Sequence, residues 1–192
     1  MAELVKWSAQ IISGVFVSEA ELAYLSVAQR IAVLTSLVLV VVNMLVSPKF
    51  AALFKKGLVS ELEKLAQDTF KLNLFIGIPV LAIFLLFPEL ILSMFGSQFV
   101  EGAVLLQILA LGQLVNVVTG SVGYLLTMSG NEKVMRNVVF LSGIFSVVIS
   151  FLLIPFFGVL GAAIATALSV SFQNILATIM IYRVLNIRIM KL

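Results

Sequence analysis

Residues 137–182 read NVVFLSGIFSVVISFLLIPFFGVLGAAIATALSVSFQNILATIMIY, without one charged side chain. A helix needs about 20 apolar residues to cross a hydrocarbon core about 30 Å thick, so this run is long enough for two crossings. The spacing places a fifth helix over 133–154 and a sixth over 159–184, joined by an uncharged turn that holds Pro155 and Gly158. Working back along the chain, two further uncharged stretches, 31–48 and 103–130, have the length of a crossing or nearly so.

Composition agrees. The chain is 62% hydrophobic and 11% charged, with a mean hydropathy of +1.22, more apolar surface than a water-soluble core of this size can hide. Ten-residue polar/apolar alternation, the mark of a membrane β-barrel, is absent. The fold class is all-α: a bundle of six membrane helices, read as 3–17, 22–47, 70–95, 100–128, 133–154 and 159–184. The first is short for a crossing, and the mismatch calls for thinning or snorkelling. A signal peptide would have that length, but Gln10, Ser13 and Gly14 interrupt its apolar region.

Charge sets the topology. Of the twelve Lys and Arg residues, all but Arg30 fall on one side once the helices are drawn: Lys6, Lys49, Lys55, Lys56, Lys64, Lys71, Lys133, Arg136, Arg183, Arg188 and Lys191. The positive-inside rule assigns that side, with both termini, to the cytoplasm. Residues 50–68 look like a short amphipathic helix on the inner surface. Ser60-Glu61-Leu62-Glu63 has the form of a capping box, and neighbouring lysines could meet anionic headgroups of membrane lipids. A solvated linker helix fits the same pattern.

Several intramembrane residues could carry function. Arg30 lies about two turns inside helix two, where an ionised side chain costs at least about 2.5 kcal/mol. It either attracts an anionic group or snorkels to the outer headgroups, with Glu19, Glu21 and Glu101 as alternative partners. Gln29, Ser36, Asn43 and Ser47 form a polar stripe about 100° round the same helix. In helix four, Gln107, Gln113 and Asn116 offer amides suited to sugar hydroxyls if they line a cavity. Small residues at four-residue spacing, Ser142, Ser146 and Ser150, then Gly161, Ala165 and Ser169, fit close helix packing. Gly77 and Pro79 predict a kink or break in helix three.

Catalysis finds no support. The acidic residues sit at helix ends, there is no His or Cys, and no phosphate-cradling loop follows a strand. The chain therefore reads as a non-enzyme without cofactor or metal, and nucleic acid is not an expected partner.

Four strings carry a family resemblance: ELAYLSVAQRIA at 21–32, NMLVSPKFA at 43–51, FVEGAVLLQILA at 99–110 and LLIPFFGVLGAAIATA at 152–167. In this order and spacing they resemble the second half of the O-antigen and polysaccharide-biosynthesis flippases of the multidrug/oligosaccharidyl-lipid/polysaccharide exporter superfamily. The resemblance implies a transporter in a bacterial or archaeal inner membrane that moves an undecaprenyl-pyrophosphate-linked oligosaccharide to the outer leaflet, as in lipopolysaccharide assembly. Two six-helix lobes would rock about a central cavity. It makes Arg30 the candidate to meet the pyrophosphate and Gln107, Gln113 and Asn116 candidate cavity groups. Lys6 joins them if the chain starts partway through the first helix of the lobe. On this reading the chain spans one lobe and needs an N-terminal partner lobe or a second copy. The neighbouring alternatives are a drug/cation antiporter of the same superfamily, which calls for a mid-membrane carboxylate that helices two to six lack, and a non-transporting membrane scaffold or remnant.

Overall fold

The computed structural model describes residues 2–189, with side chains from 9 to 189 apart from Val38. Helices follow one another in the order α1 (Ala2–Phe16), α2 (Glu19–Lys55), α3 (Val59–Leu86), α4 (Pro88–Ser93), α5 (Ala103–Thr119), α6 (Val122–Met128) and α7 (Glu132–Leu185), with a 3-10 turn over Ser97–Gly102. There is no strand among the described residues. The bundle is all-α, as its composition requires.

The uncharged stretch 137–182 is a hairpin. Gly158, at φ 55° and ψ −133°, interrupts α7 and turns the chain back on itself. The rings of Phe145 and Phe172 stack with centroids 4.5 Å apart, which no continuous helix permits across that separation. The second arm returns so closely that a Cβ on Gly161 would lie 2.5 Å from the Leu153 carbonyl oxygen. Two arms, 132–157 and 159–185, thus replace one long helix.

Helices α2, α3, the segment through α5 and α7 are each long and apolar enough to cross a membrane, and α7 does so twice. The 15 residues of α1 reach only about 22 Å. Large apolar side chains stay exposed on every long helix, Phe75 and Phe156 at 81%, and so much exposed apolar surface suits lipid rather than water. This is a multi-pass membrane protein.

Three expectations change. Residues 50–68 do not form a helix of their own: α2 continues past Pro48 to Lys55, the chain turns at Lys56–Leu58, and α3 begins at Val59. The Ser60 box is unused because Ser60 is already inside α3, whereas Ser18 caps α2 reciprocally with Glu21, each bonding the other's backbone. In addition, of the kink or break expected in helix three the break does not occur: α3 remains helical through Pro79, which is exposed. The break falls in the fourth crossing instead, at Gly120, where φ is 66°.

Two apolar cores stack along the bundle. One joins Leu25, Ile31, Leu81, Leu106, Ile154 and Ala162; the other joins Phe50, Leu62, Leu125, Val138, Ile181 and Ile187. Around the second gather the α2–α3 turn with Lys55 and Lys56, the start of α7 with Lys133 and Arg136, and the segment carrying Arg183 and Arg188. The Arg188 N–H donates to Glu63 Oε1 at 3.2 Å and Gln67 Nε2 donates to the Arg188 carbonyl at 2.9 Å, tying the last described residues to α3. Lys55, Lys56, Lys133, Arg136, Arg183 and Arg188 are therefore collected at one end. Glu19, Glu21, Glu89 and Glu101 lie at the other.

Candidate functional site

A groove runs between α2, α5 and the second arm of α7. Its upper chamber holds about 300 Å³. From α2 come Gln29 and Ser36, from α5 come Gln113 and Asn116, and from α7 come Thr166, Gln173 and Asn174. A lower chamber of about 430 Å³ shares Ser36, Asn116, Gln173 and Asn174 with it and continues past Asn43, Gly123 and Thr127 towards the basic end. No Lys, Arg, Asp or Glu lines either chamber among the described residues.

Helical periodicity assembles this wall. Gln29, Ser36 and Asn43 recur at seven-residue steps and so share one face of α2, as do Gln113 and Asn116 on α5 and Thr166 and Gln173 on α7. The interior is wired locally. Gln113 Oε1 accepts from Ser36 Oγ at 3.2 Å and from Asn116 Nδ2 at 3.0 Å, joining α2 to α5. Gln29 Nε2 donates to Thr166 Oγ1 at 3.4 Å, joining α2 to α7. Such side-chain bonds between helices replace the water that lipid cannot supply. What remains over is a set of amide groups facing an uncharged space, suited to hydrogen-bonding a neutral polar ligand and unsuited to neutralising an anion.

The sequence candidates separate. Gln113 and Asn116 line both the network and the groove. Gln107 lies elsewhere: its Nε2 donates to the Leu85 carbonyl at 3.0 Å, one of the carbonyls that α3 leaves unpaired at its C-terminal end. Arg30 is exposed, lines neither chamber, and has no hydrogen bond or ion pair among the described residues, so Glu19, Glu21 and Glu101 do not hold it. Lys6 falls outside the described side chains. Thr166, Gln173 and Asn174 were not singled out from the sequence. Their signal was an adjacent pair of amides, Gln173 and Asn174, inside the long uncharged run.

Residues 1–152 match the family model described as MatE. The chain belongs to the MatE family. Members of the MatE family are membrane transporters, which accords with a membrane bundle that carries a polar groove. The chain is 25% identical over 88% of its length to a probable low-salt glycan biosynthesis flippase of Haloferax volcanii, and covers 36% of that protein. To the capsular polysaccharide biosynthesis protein CapF of Staphylococcus aureus it is 30% identical over 64% of its length, covering 31%. An uncharacterized membrane protein of Methanocaldococcus jannaschii is 28% identical over 62% of the chain, of which 24% is covered. The chain thus spans about a third or less of the length of these curated relatives.

Proposed function

We propose that this chain forms one lobe of a lipid-linked oligosaccharide flippase, working in the cell membrane of a bacterium or archaeon with its basic end in the cytoplasm. The observation that carries this reading is the groove: amide-lined, free of charged side chains, and running from Gln29 to Thr127 along α2, α5 and α7. Neutral amides match the hydroxyls of a glycan, and two of the relatives are named for glycan or polysaccharide biosynthesis. A cation-coupled drug antiporter fits less well, because no carboxylate lines the groove. Alternating access needs an opposing wall, which a separate N-terminal lobe or a second copy would supply. The carrier pyrophosphate would meet Arg30 outside the groove.

The test is translocation of a fluorescent undecaprenyl-pyrophosphate-linked oligosaccharide in proteoliposomes that hold the chain with its complementary lobe. Replacing Gln113 and Asn116 together by Leu removes two hydrogen-bonding amides and is expected to slow transport by about 10- to 100-fold. Arg30→Gln is expected to slow it as well, with an effect that shrinks as salt rises. Unchanged transport in the Gln113/Asn116 double variant sinks the groove reading, and unchanged transport in Arg30→Gln sinks the charge role alone.

A further inference from the structure

Gln113 and Asn116 stand three residues apart on the face of α5 that lines the upper chamber, and they share one hydrogen-bonding atom. Gln113 Oε1 accepts from Asn116 Nδ2 at 3.0 Å and from Ser36 Oγ at 3.2 Å, which fills both of its lone pairs. Two groups are left over, the donor Nε2 of Gln113 and the acceptor Oδ1 of Asn116. Neither has a protein partner, and neither is closed off inside a helix contact as Gln29 Oε1 and Asn43 Oδ1 are, so both open on the groove. Turning both amides over exchanges the two roles and still leaves one donor and one acceptor on the wall. The 3.0 Å bond keeps the two amide carbons within about 6 Å of each other. Because a hydrogen bond reaches about 2.8–3.0 Å, two neighbouring hydroxyls of one sugar ring span this pair, one accepting from Gln113 and the other donating to Asn116.

We propose that Gln113 and Asn116 act as one donor–acceptor unit that reads two adjacent free hydroxyls of the carried glycan. The groove then discriminates against a sugar whose hydroxyls are capped, because a capped oxygen still accepts a hydrogen bond but no longer donates one, and the Asn116 carbonyl is left unmet. Ser36 is a positioning residue here: its bond to Gln113 Oε1 holds the amide from α2 while Asn116 holds it along α5, so little ordering is left for the ligand to impose. The inference rests on the flippase reading and deepens it by naming the ligand feature that the groove selects.

The experiment uses the full chain in lipid nanodiscs and two probes, a short-chain polyprenyl glucoside and its tetra-O-methyl ether, with the sugar-free polyprenol as the baseline for partition into lipid. The wild-type chain is expected to prefer the glucoside by about tenfold. Asn116→Leu deletes the acceptor. It is expected to weaken the glucoside by about tenfold and to leave the ether within about twofold, which erases the preference. Gln113→Met deletes the donor, which serves hydroxyl and ether oxygens alike, and is expected to weaken both probes with the preference kept. The two behaviours exchanged between the variants support the proposal with the amides turned over. Asn116→Ala makes the same deletion at smaller volume and decides the matter if Asn116→Leu does not fold. A preference that persists in both Asn116→Leu and Gln113→Met is steric and overturns the proposal. A wild-type chain that binds glucoside and ether equally overturns it while leaving the flippase reading in place, and one that binds neither above the polyprenol baseline brings down both.

Discussion

Gly112→Val prevents the bundle from closing, and the folded chain no longer accumulates in membranes. Gly112 lies on α5 against the second arm of α7, where an added Cβ would stand 2.7 Å from Ala167 Cα, 2.9 Å from its Cβ and 3.2 Å from its carbonyl oxygen. Backbone cannot swing aside as a side-chain tip can, so the two helices must separate. Overpacking a core by a methylene or two costs about 1–3 kcal/mol, and a contact with main chain belongs at or above the top of that range. The same contact sets the spacing between Gln113 and Asn116 on one side and Thr166 and Gln173 on the other, so separation also opens the groove. Gly143 supplies the control. It is buried, yet a Cβ there meets nothing within 4 Å, and Gly143→Ala is expected to be neutral or stabilising by up to about 1 kcal/mol. Thermal aggregation of the detergent-solubilised variants separates the two glycines. A Gly112→Val chain that unfolds at the wild-type temperature would show that α5 and α7 are not held as described.

The fold was legible where one physical signal dominated. Runs of apolar residues located the crossings, and the uncharged run from 137 to 182 announced a hairpin whose turn falls at Gly158. Local sequence does not decide between two signals of equal strength. Ser18 and Ser60 both begin an S-x-x-E pattern, and only tertiary context decides that the first ends a loop while the second lies within α3. Pro79 and Gly120 both threaten a helix, but proline's φ is helical and costs one hydrogen bond, whereas Gly120 adopts a backbone angle that no other residue takes easily. The groove was half visible. Periodicity put Gln113 and Asn116 on one face, but whether an amide lines a cavity or serves a neighbouring helix end depends on what lies opposite. Gln107, six residues before Gln113, is bonded to α3 for that reason.

The break at Gly120 supports the second large effect. Gly120 has φ 66° and ψ −124°, and Gly120→Ala forces an L residue into that region at a cost of about 1–3 kcal/mol. The new Cβ would also meet Asn73 Nδ2 at 3.0 Å. Asn73 is fully buried with neither Nδ2 nor Oδ1 partnered, and the Ser121 hydroxyl beside the break is unpartnered too. Each such group costs about 1–3 kcal/mol when buried without a partner, so this arrangement is held against a gradient. Asn73→Leu replaces both groups by methyls on the same branched skeleton and is expected to raise the melting temperature, while Gly120→Ala lowers it. If the chain works as the proposed flippase lobe, transport by its assembly with the complementary lobe is expected to fall in both. An amide that is unpaired in one arrangement of a broken helix gains if the break moves and exposes the freed backbone groups to it, so deleting the amide favours the arrangement described here and slows departure from it. A melting temperature that falls in Asn73→Leu would mean that Asn73 is already satisfied in this arrangement, and the opposition between stability and transport would disappear with it.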